Sequence, residues 1–211
     1  MSKSVTTEQM RAEQKRQKRE AEYGAAVKKL PTFTRVAAGV MLAVLLLFFM
    51  TWAEIYNTDI VGPEVSFNGW AATAAGVTRD FMSAGAIYQD MAVPFYYYAS
   101  GWVENIATLT LIALIAAALG CALQVLAIVK PGKLFNFCGA ALEAVAGVLL
   151  IVVFITAVSM KGSDILPYYC QGNPACSIRS YAILPALLAL CAAGLSGWVA
   201  SKYVQAEKRY K

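Results

Sequence analysis

The sequence predicts an all-α fold: a four-helix transmembrane bundle, N-in/C-in, with a long first extracytoplasmic loop containing a short helix. Two observations carry this reading. Four long apolar stretches punctuate the 211 residues, with a mean hydropathy of +0.55. Lys and Arg gather in the segments on alternate sides of those stretches. The spans read Val36 to about Trp52, Ile106 to Val129, Phe137 to Met160 and Ala182 to Ala200. They are of the length needed to cross roughly 30 Å of hydrocarbon at roughly 1.5 Å per residue. No segment has the strict alternation of a lipid-facing barrel strand, so backbone polar groups must be satisfied within helices.

Orientation follows from the cations. Lys3, Arg11, Lys15, Arg16, Lys18, Arg19, Lys28, Lys29 and Arg35 precede the first span, Lys130 and Lys133 flank the middle turn, and Lys202, Lys208, Arg209 and Lys211 follow the last span. Arg79, Lys161 and Arg179 are left for the other side. Positive side chains are retained on the inner face, so both termini are expected in the cytoplasm of a multi-pass plasma-membrane protein. The chain then divides into a basic helical arm (1–31), a four-span domain (32–203) with a first extracytoplasmic segment (56–105) and a second extracytoplasmic hairpin (161–181), and a basic tail (204–211). A cleaved signal peptide fits the first run poorly, because about 35 residues precede it and Thr51, Trp52 and Tyr56 follow it as interfacial anchors would.

The arm from Thr7 to Leu30 is rich in the helix formers Glu, Gln, Lys, Arg and Ala, and Thr6 or Thr7 can cap it. Pro31 is expected to close it by disfavouring helical geometry at Leu30. Its apolar stripe is thin, which predicts an exposed helix that fixes topology, docks a partner or holds anionic lipid headgroups. The net charge of +5 comes from such flanks and gives no support to nucleic-acid binding.

In the first outer segment Ser66 or Asn68 can cap a helix whose Trp70, Ala74, Val77 and Phe81 form one apolar stripe, either on the membrane surface or as a lid on the bundle. Phe95, Tyr96, Tyr97, Tyr98 and Trp102 then form an aromatic belt before the second span. Asp90 and Pro94 argue against a fifth span there and favour a re-entrant or tilted approach. Trp52, Trp70, Tyr96, Tyr97, Tyr98 and Trp102 are the expected interfacial anchors.

Cys170 and Cys176 enclose Gln171–Gly172–Asn173–Pro174–Ala175 in the second outer loop, on the oxidising side, and a disulfide is expected between them. Metal ligation and redox chemistry have little behind them in a chain with no His and no dense Cys set. Cys121, Cys138 and Cys191 lie in or beside apolar helices, where packing accounts for them.

Glu143 stands inside the third span, where a carboxylate facing lipid would be costly. It is a candidate intramembrane polar site, paired with Gln124 of the second span, and serves either a helix contact or an ion or substrate pathway. Gly139 and Gly147 lie four residues to either side on the same helical face, and Gly194 and Gly197 open the fourth span for close packing.

No catalytic residue, cofactor or metal site is expected. There is no His for acid–base work, no phosphate-binding glycine loop and no coherent acid pair in the membrane. The function expected is a non-catalytic accessory or structural subunit of a larger membrane protein assembly of bacterial type, with a membrane protein partner or homo-oligomer. The alternative is a small transporter or channel component with Glu143 in its pathway. In topology the chain resembles small tetraspan membrane proteins. The Trp–Gly-Leu-Trp–Cys–Cys pattern of the claudin-like first outer loop is absent, and the outer Cys pair lies in the second loop, so no family follows from the resemblance.

Overall fold

A computed structural model describes residues 2–57, 63–78, 89–159 and 176–210. The chain is a multi-pass membrane protein built on an all-α bundle, in which four helical stretches among the described residues are long and apolar enough to span a bilayer. Helix α1 (Ser2–Val27) is the arm, and from residue 9 onward its side chains are exposed apart from the half-buried Tyr23 and Val27. The break falls at Lys28 and Lys29. Helix α2 (Leu30–Leu46) starts six residues ahead of the expected span, because Pro31 sits in its first turn, where a missing amide hydrogen costs nothing. Pro31 thus opens α2, and Leu30, where the arm was expected to end, is helical as the first residue of α2; the arm ends at Val27. One 3-10 turn, Leu47–Phe49, tightens its end before Met50 turns extended.

Helix α4 (Gln89–Val129) is continuous over 41 residues, about 60 Å at about 1.5 Å per residue, and only Glu104–Val129 is span-like. Tyr96, Tyr97, Tyr98 and Trp102 lie on its first part, with side chains outside the described residues. Helices α5 (Lys133–Ser159) and α6 (Ile183–Tyr210) complete the bundle, α6 running on through the basic tail. Packing runs α2, α4, α5, α6 and back to α2, so every neighbouring pair is antiparallel. The interior is made of Met41, Val44 and Phe48 with Leu150 and Val153, and of alanines such as Ala113, Ala117, Ala186 and Ala189 that bring the backbones close. Outside, Leu42, Leu46, Ile112, Ile115, Val148 and Ile155 are exposed, a surface that hydrocarbon would solvate.

A three-stranded antiparallel sheet caps the end of the bundle opposite the termini. Strand β1 (Thr51–Asn57) lies between β2 (Pro63–Asn68) and β3 (Cys176–Arg179), with Ile55 opposite Val65 on one side and Ile178 on the other. The sheet was not anticipated. It ties the ends of both outer segments together beside the bundle's core.

Helix α3 (Gly69–Thr78) is the short helix expected in the first outer segment, and it packs against α4. Ala72 and Thr73 are buried, Ala74 and Val77 (66%) are exposed, and Trp70 (39%) rests its ring against Phe48 and Phe49 at 6.1 and 5.5 Å, so the apolar stripe is only partly covered by the bundle; Phe81 lies outside the described residues. The reason is Gly69. A Cβ there would lie 2.5 Å from the Trp52 indole, so the helix comes to rest on its small-residue face.

Trp52 is itself a correction. Expected at the lipid–water boundary, it is fully buried in β1 against Phe48, at 4.6 Å between ring centroids. Its indole N–H donates to the Leu47 carbonyl at 3.4 Å, and its backbone carbonyl accepts from the Ser180 hydroxyl. The disulfide is the second correction: no sulfur–sulfur pair occurs among the described residues, where Cys121, Cys138 and Cys191 are free. Cys170 lies outside the described residues, and the backbone of Cys176 opens β3 opposite Asn57. Turn-forming residues ahead of Cys176 signal a chain reversal, which serves strand pairing as well as a sulfur loop.

Candidate functional site

The interior of the bundle carries a polar cluster on three helices. Glu143 of α5 is fully buried. Opposite it on α4 stands Gly120, where a Cβ would lie 3.1 Å from the Glu143 Cγ and 3.5 Å from its backbone nitrogen. That close crossing makes room for the carboxyl. One turn away on α5, Gly139 does the same for Gln124, whose amide nitrogen would be 2.4 Å from a Cβ at that position. Gln124 Nε2 donates to Ser196 Oγ of α6 at 2.8 Å. Ser196 and Gln124 are the polar side chains facing the carboxyl. Neither meets it in hydrogen-bond geometry, so Glu143 Oε1 and Oε2 and Gln124 Oε1 are without partners among the described residues.

Toward the termini, a second buried contact joins Thr34 of α2 to Asn136 of α5, with Thr34 Oγ1 3.1 Å from Asn136 Oδ1. Asn136 Nδ2 also donates to the Gly132 carbonyl at 2.8 Å, fixing the turn that leads into α5. Asn136, Gly139 and Glu143 share one buried face of α5. Polar groups therefore run from the basic end to mid-bundle. Beyond Glu143 the same face continues as Ala146, Gly147, Leu150 and Val153, a hydrocarbon seal toward the sheet.

Gln124 faces the Glu143 carboxyl, and the bond Gln124 makes goes to Ser196. Of the four glycines expected to mediate packing, Gly139 abuts Gln124, while Gly147 admits Leu190 and the Ala186 carbonyl of α6, 2.7 and 3.1 Å from a Cβ there. Gly197 makes only ordinary contact with Ala140, at 3.9 Å. Gly194 has nothing within 4 Å, so the packing expected of it is not made; it lies on the exposed side of α6. Sequence reasoning missed Gly120, Asn136, Thr34 and the hydrogen bond of Ser196. The spacing of Asn136, Gly139 and Glu143 at three and four residues was the signal that could have found the polar face.

An aromatic anchor also went unforeseen at the basic end. Trp198 is 42% exposed, meets Phe33 edge-on at 5.1 Å, and carries the Lys202 ammonium 5.8 Å from its ring centroid. Rings and cations so placed suit a membrane–water boundary.

Chemically, the cluster offers one ionisable group in a water-poor interior, a neighbouring amide and a hydroxyl. It can hold a proton or fix the register of three helices. No family model matches this chain, and neither curated proteins nor solved structures give a significant match.

Proposed function

We propose that the chain is a non-catalytic accessory or structural subunit of a larger membrane protein assembly. The observation that supports this most directly is the partly uncovered apolar stripe of α3. Val77 is exposed, and so is Trp70, whose ring lies 5.5 Å from that of Phe49, itself 66% exposed. A helix whose larger apolar groups are left partly uncovered by its own bundle offers them to another chain. The partner is a membrane protein or a second copy of this one. In this reading the basic end faces the cytoplasm of a plasma-membrane protein, in accord with the distribution of Lys and Arg, and the arm's cations contact anionic lipid headgroups.

Purification from native membranes in a mild detergent tests the assembly. The chain should migrate in a larger complex, and Trp70→Ser with Val77→Ser should release it while the isolated chain keeps its fold. Persistence of the complex in that variant argues against the stripe as the contact. Labelling of sealed cells tests orientation, and modification of Lys208 from outside reverses it.

A second reading is supported by the unpartnered Glu143 carboxyl: a transporter or channel component in which Glu143 carries an ion or substrate contact. Ion flux in reconstituted vesicles that is abolished by Glu143→Gln supports it, and flux unchanged by that substitution removes it.

A further inference from the structure

We infer that the cleft where the end of the arm meets α2 and α6 binds one anionic phospholipid, its phosphate held by Lys29, Lys202 and Arg209 and its acyl chains laid against Phe33 and Trp198. The inference deepens the reading of the basic end as a lipid-facing surface and rests on it. The cleft encloses about 350 Å³ and is lined by those five residues together with Ala26, Leu30, Gln205, Ala206 and Tyr210. That volume lies within the range of about 300–1,000 Å³ common for small-molecule sites.

Charge selects the occupant. Three cations line the cleft, and no acidic side chain does. Glu207, the one acid on α6, is drawn to α5 by Lys133 Nζ at 2.5 Å. The cations are also positioned. Lys202 Nζ lies over Trp198 and within 3.3 Å of Gln205 Oε1, and the Arg209 guanidinium sits 5.5 Å from the Tyr210 ring. Three like charges lining one cleft with no acidic side chain among the lining residues call for an anion, and guanidinium and ammonium groups bind phosphate through charge-assisted hydrogen bonds. The floor decides between a lipid and a free phosphate. Phe33 and Trp198 are both partly exposed, on helices that cross the bilayer, and give hydrocarbon chains an apolar wall that inorganic phosphate would not use. Beneath them Leu30, Val199 and Tyr203 form a small buried core that holds α2 to α6 and gives the cleft a fixed back.

The test uses the full chain, purified in mild detergent and exchanged into nanodiscs of phosphatidylcholine with and without phosphatidylglycerol. Native mass spectrometry of the released protein should show one phosphatidylglycerol retained in preference to phosphatidylcholine. Lys202→Gln with Arg209→Gln should cut that retention about tenfold, a loss of about 1.4 kcal/mol. Lys130→Gln removes a positive charge from the same end of the bundle, outside the cleft lining, and should leave retention unchanged. Lys29→Gln alone, outside regular helix, should give a partial loss and provides the reading if the double variant does not fold. Equal retention of both lipids, undiminished retention in the cleft variants, or equal loss in Lys130→Gln overturns the inference. So does competition by millimolar inorganic phosphate that removes the effect of the lipid, or a second copy of the chain in place of lipid in the retained species. A partner complex that fails to appear while the lipid is retained defeats the assembly reading alone.

Discussion

Gly139 and Gln124 are matched as socket and plug: the absent side chain on α5 leaves the space that the amide from α4 fills, with 2.4 Å between the Gln124 nitrogen and the place a Cβ would take. The amide is held there by its 2.8 Å bond to Ser196, so three helices meet at one glycine. Gly139→Ala should push Gln124 off Ser196 and lower stability by about 1–3 kcal/mol, as overpacking of a closed interface does. Ser196→Ala, which strands the Gln124 donor, should cost about 1–3 kcal/mol, and the double substitution less than the sum. Gly194→Ala, with open space around it, should be neutral or gain up to about 1 kcal/mol of helix propensity. Reversible unfolding in mixed detergent micelles measures all four, and equal losses at Gly139 and Gly194 would contradict the socket.

Trp52 joins the sheet to the bundle, and Gly69 is the residue that lets it. Trp52→Ala empties a fully buried site and should lower stability by about 3–5 kcal/mol. Gly69→Ala must displace an indole whose nearest atom is 2.5 Å from the new methyl group. Trp52→Phe shortens that ring, so Gly69→Ala should cost less in the Trp52→Phe background than in the parent chain. A double-mutant cycle read by thermal unfolding checks the coupling, and additive losses would deny the contact.

Much of the bundle was legible because a bilayer imposes a simple rule: long apolar runs must be helices, and their flanking charges punctuate them. The 3.6-residue period was less informative, since a membrane helix is apolar on its lipid side as well as its protein side. That is why periodicity could not choose between a surface helix and a lid for α3: the large residues Trp70 and Val77 formed the visible stripe, while the contact with the bundle also uses Ala72 and Thr73, small residues that periodicity hardly weighs. The sheet escaped for a different reason. Its strands come from segments far apart in the chain, and Glu54 paired with Ser66 and Arg179 is a relation no local window contains. Within the site, Glu143 and Gln124 were visible as polar residues in apolar runs. Gly120 and Ser196 were not, because small residues acquire a role only through what stands opposite them.

The Glu143 carboxyl distinguishes a group kept for its shape from one kept for its charge. A buried carboxyl with no hydrogen-bond partner contributes nothing that an isosteric amide would lose. Glu143→Gln should therefore leave the stability of the isolated chain unchanged or raise it. Glu143→Ala, which empties the space opposite Gly120, should lower it by about 2–5 kcal/mol. Chemical unfolding of the three proteins at equal detergent concentration gives the comparison. A loss in Glu143→Gln as large as in Glu143→Ala would mean that the carboxyl is engaged in the isolated chain.

Lys133 and Glu207 form the contact that draws the end of α6 to the start of α5, and both remain open to solvent, at 52% and 26% of their side-chain surface. Water screens such a pair, so Lys133→Met should cost no more than about 1 kcal/mol in stability. Its larger effect should be electrostatic and local. Without Lys133, the negative charge of Glu207 is less compensated on the same turn of α6 as Lys208 and Arg209, weakening the positive field of the basic end. Enrichment of anionic over zwitterionic lipid around the reconstituted chain should then fall in Lys133→Met and recover in Lys133→Met with Glu207→Gln. The difference should shrink as salt is raised and the screening length falls from about 10 Å at 0.1 M to about 3 Å at 1 M. A difference that persists at 1 M salt would point instead to a rearranged helix end, which hydrogen exchange over α6 would register directly.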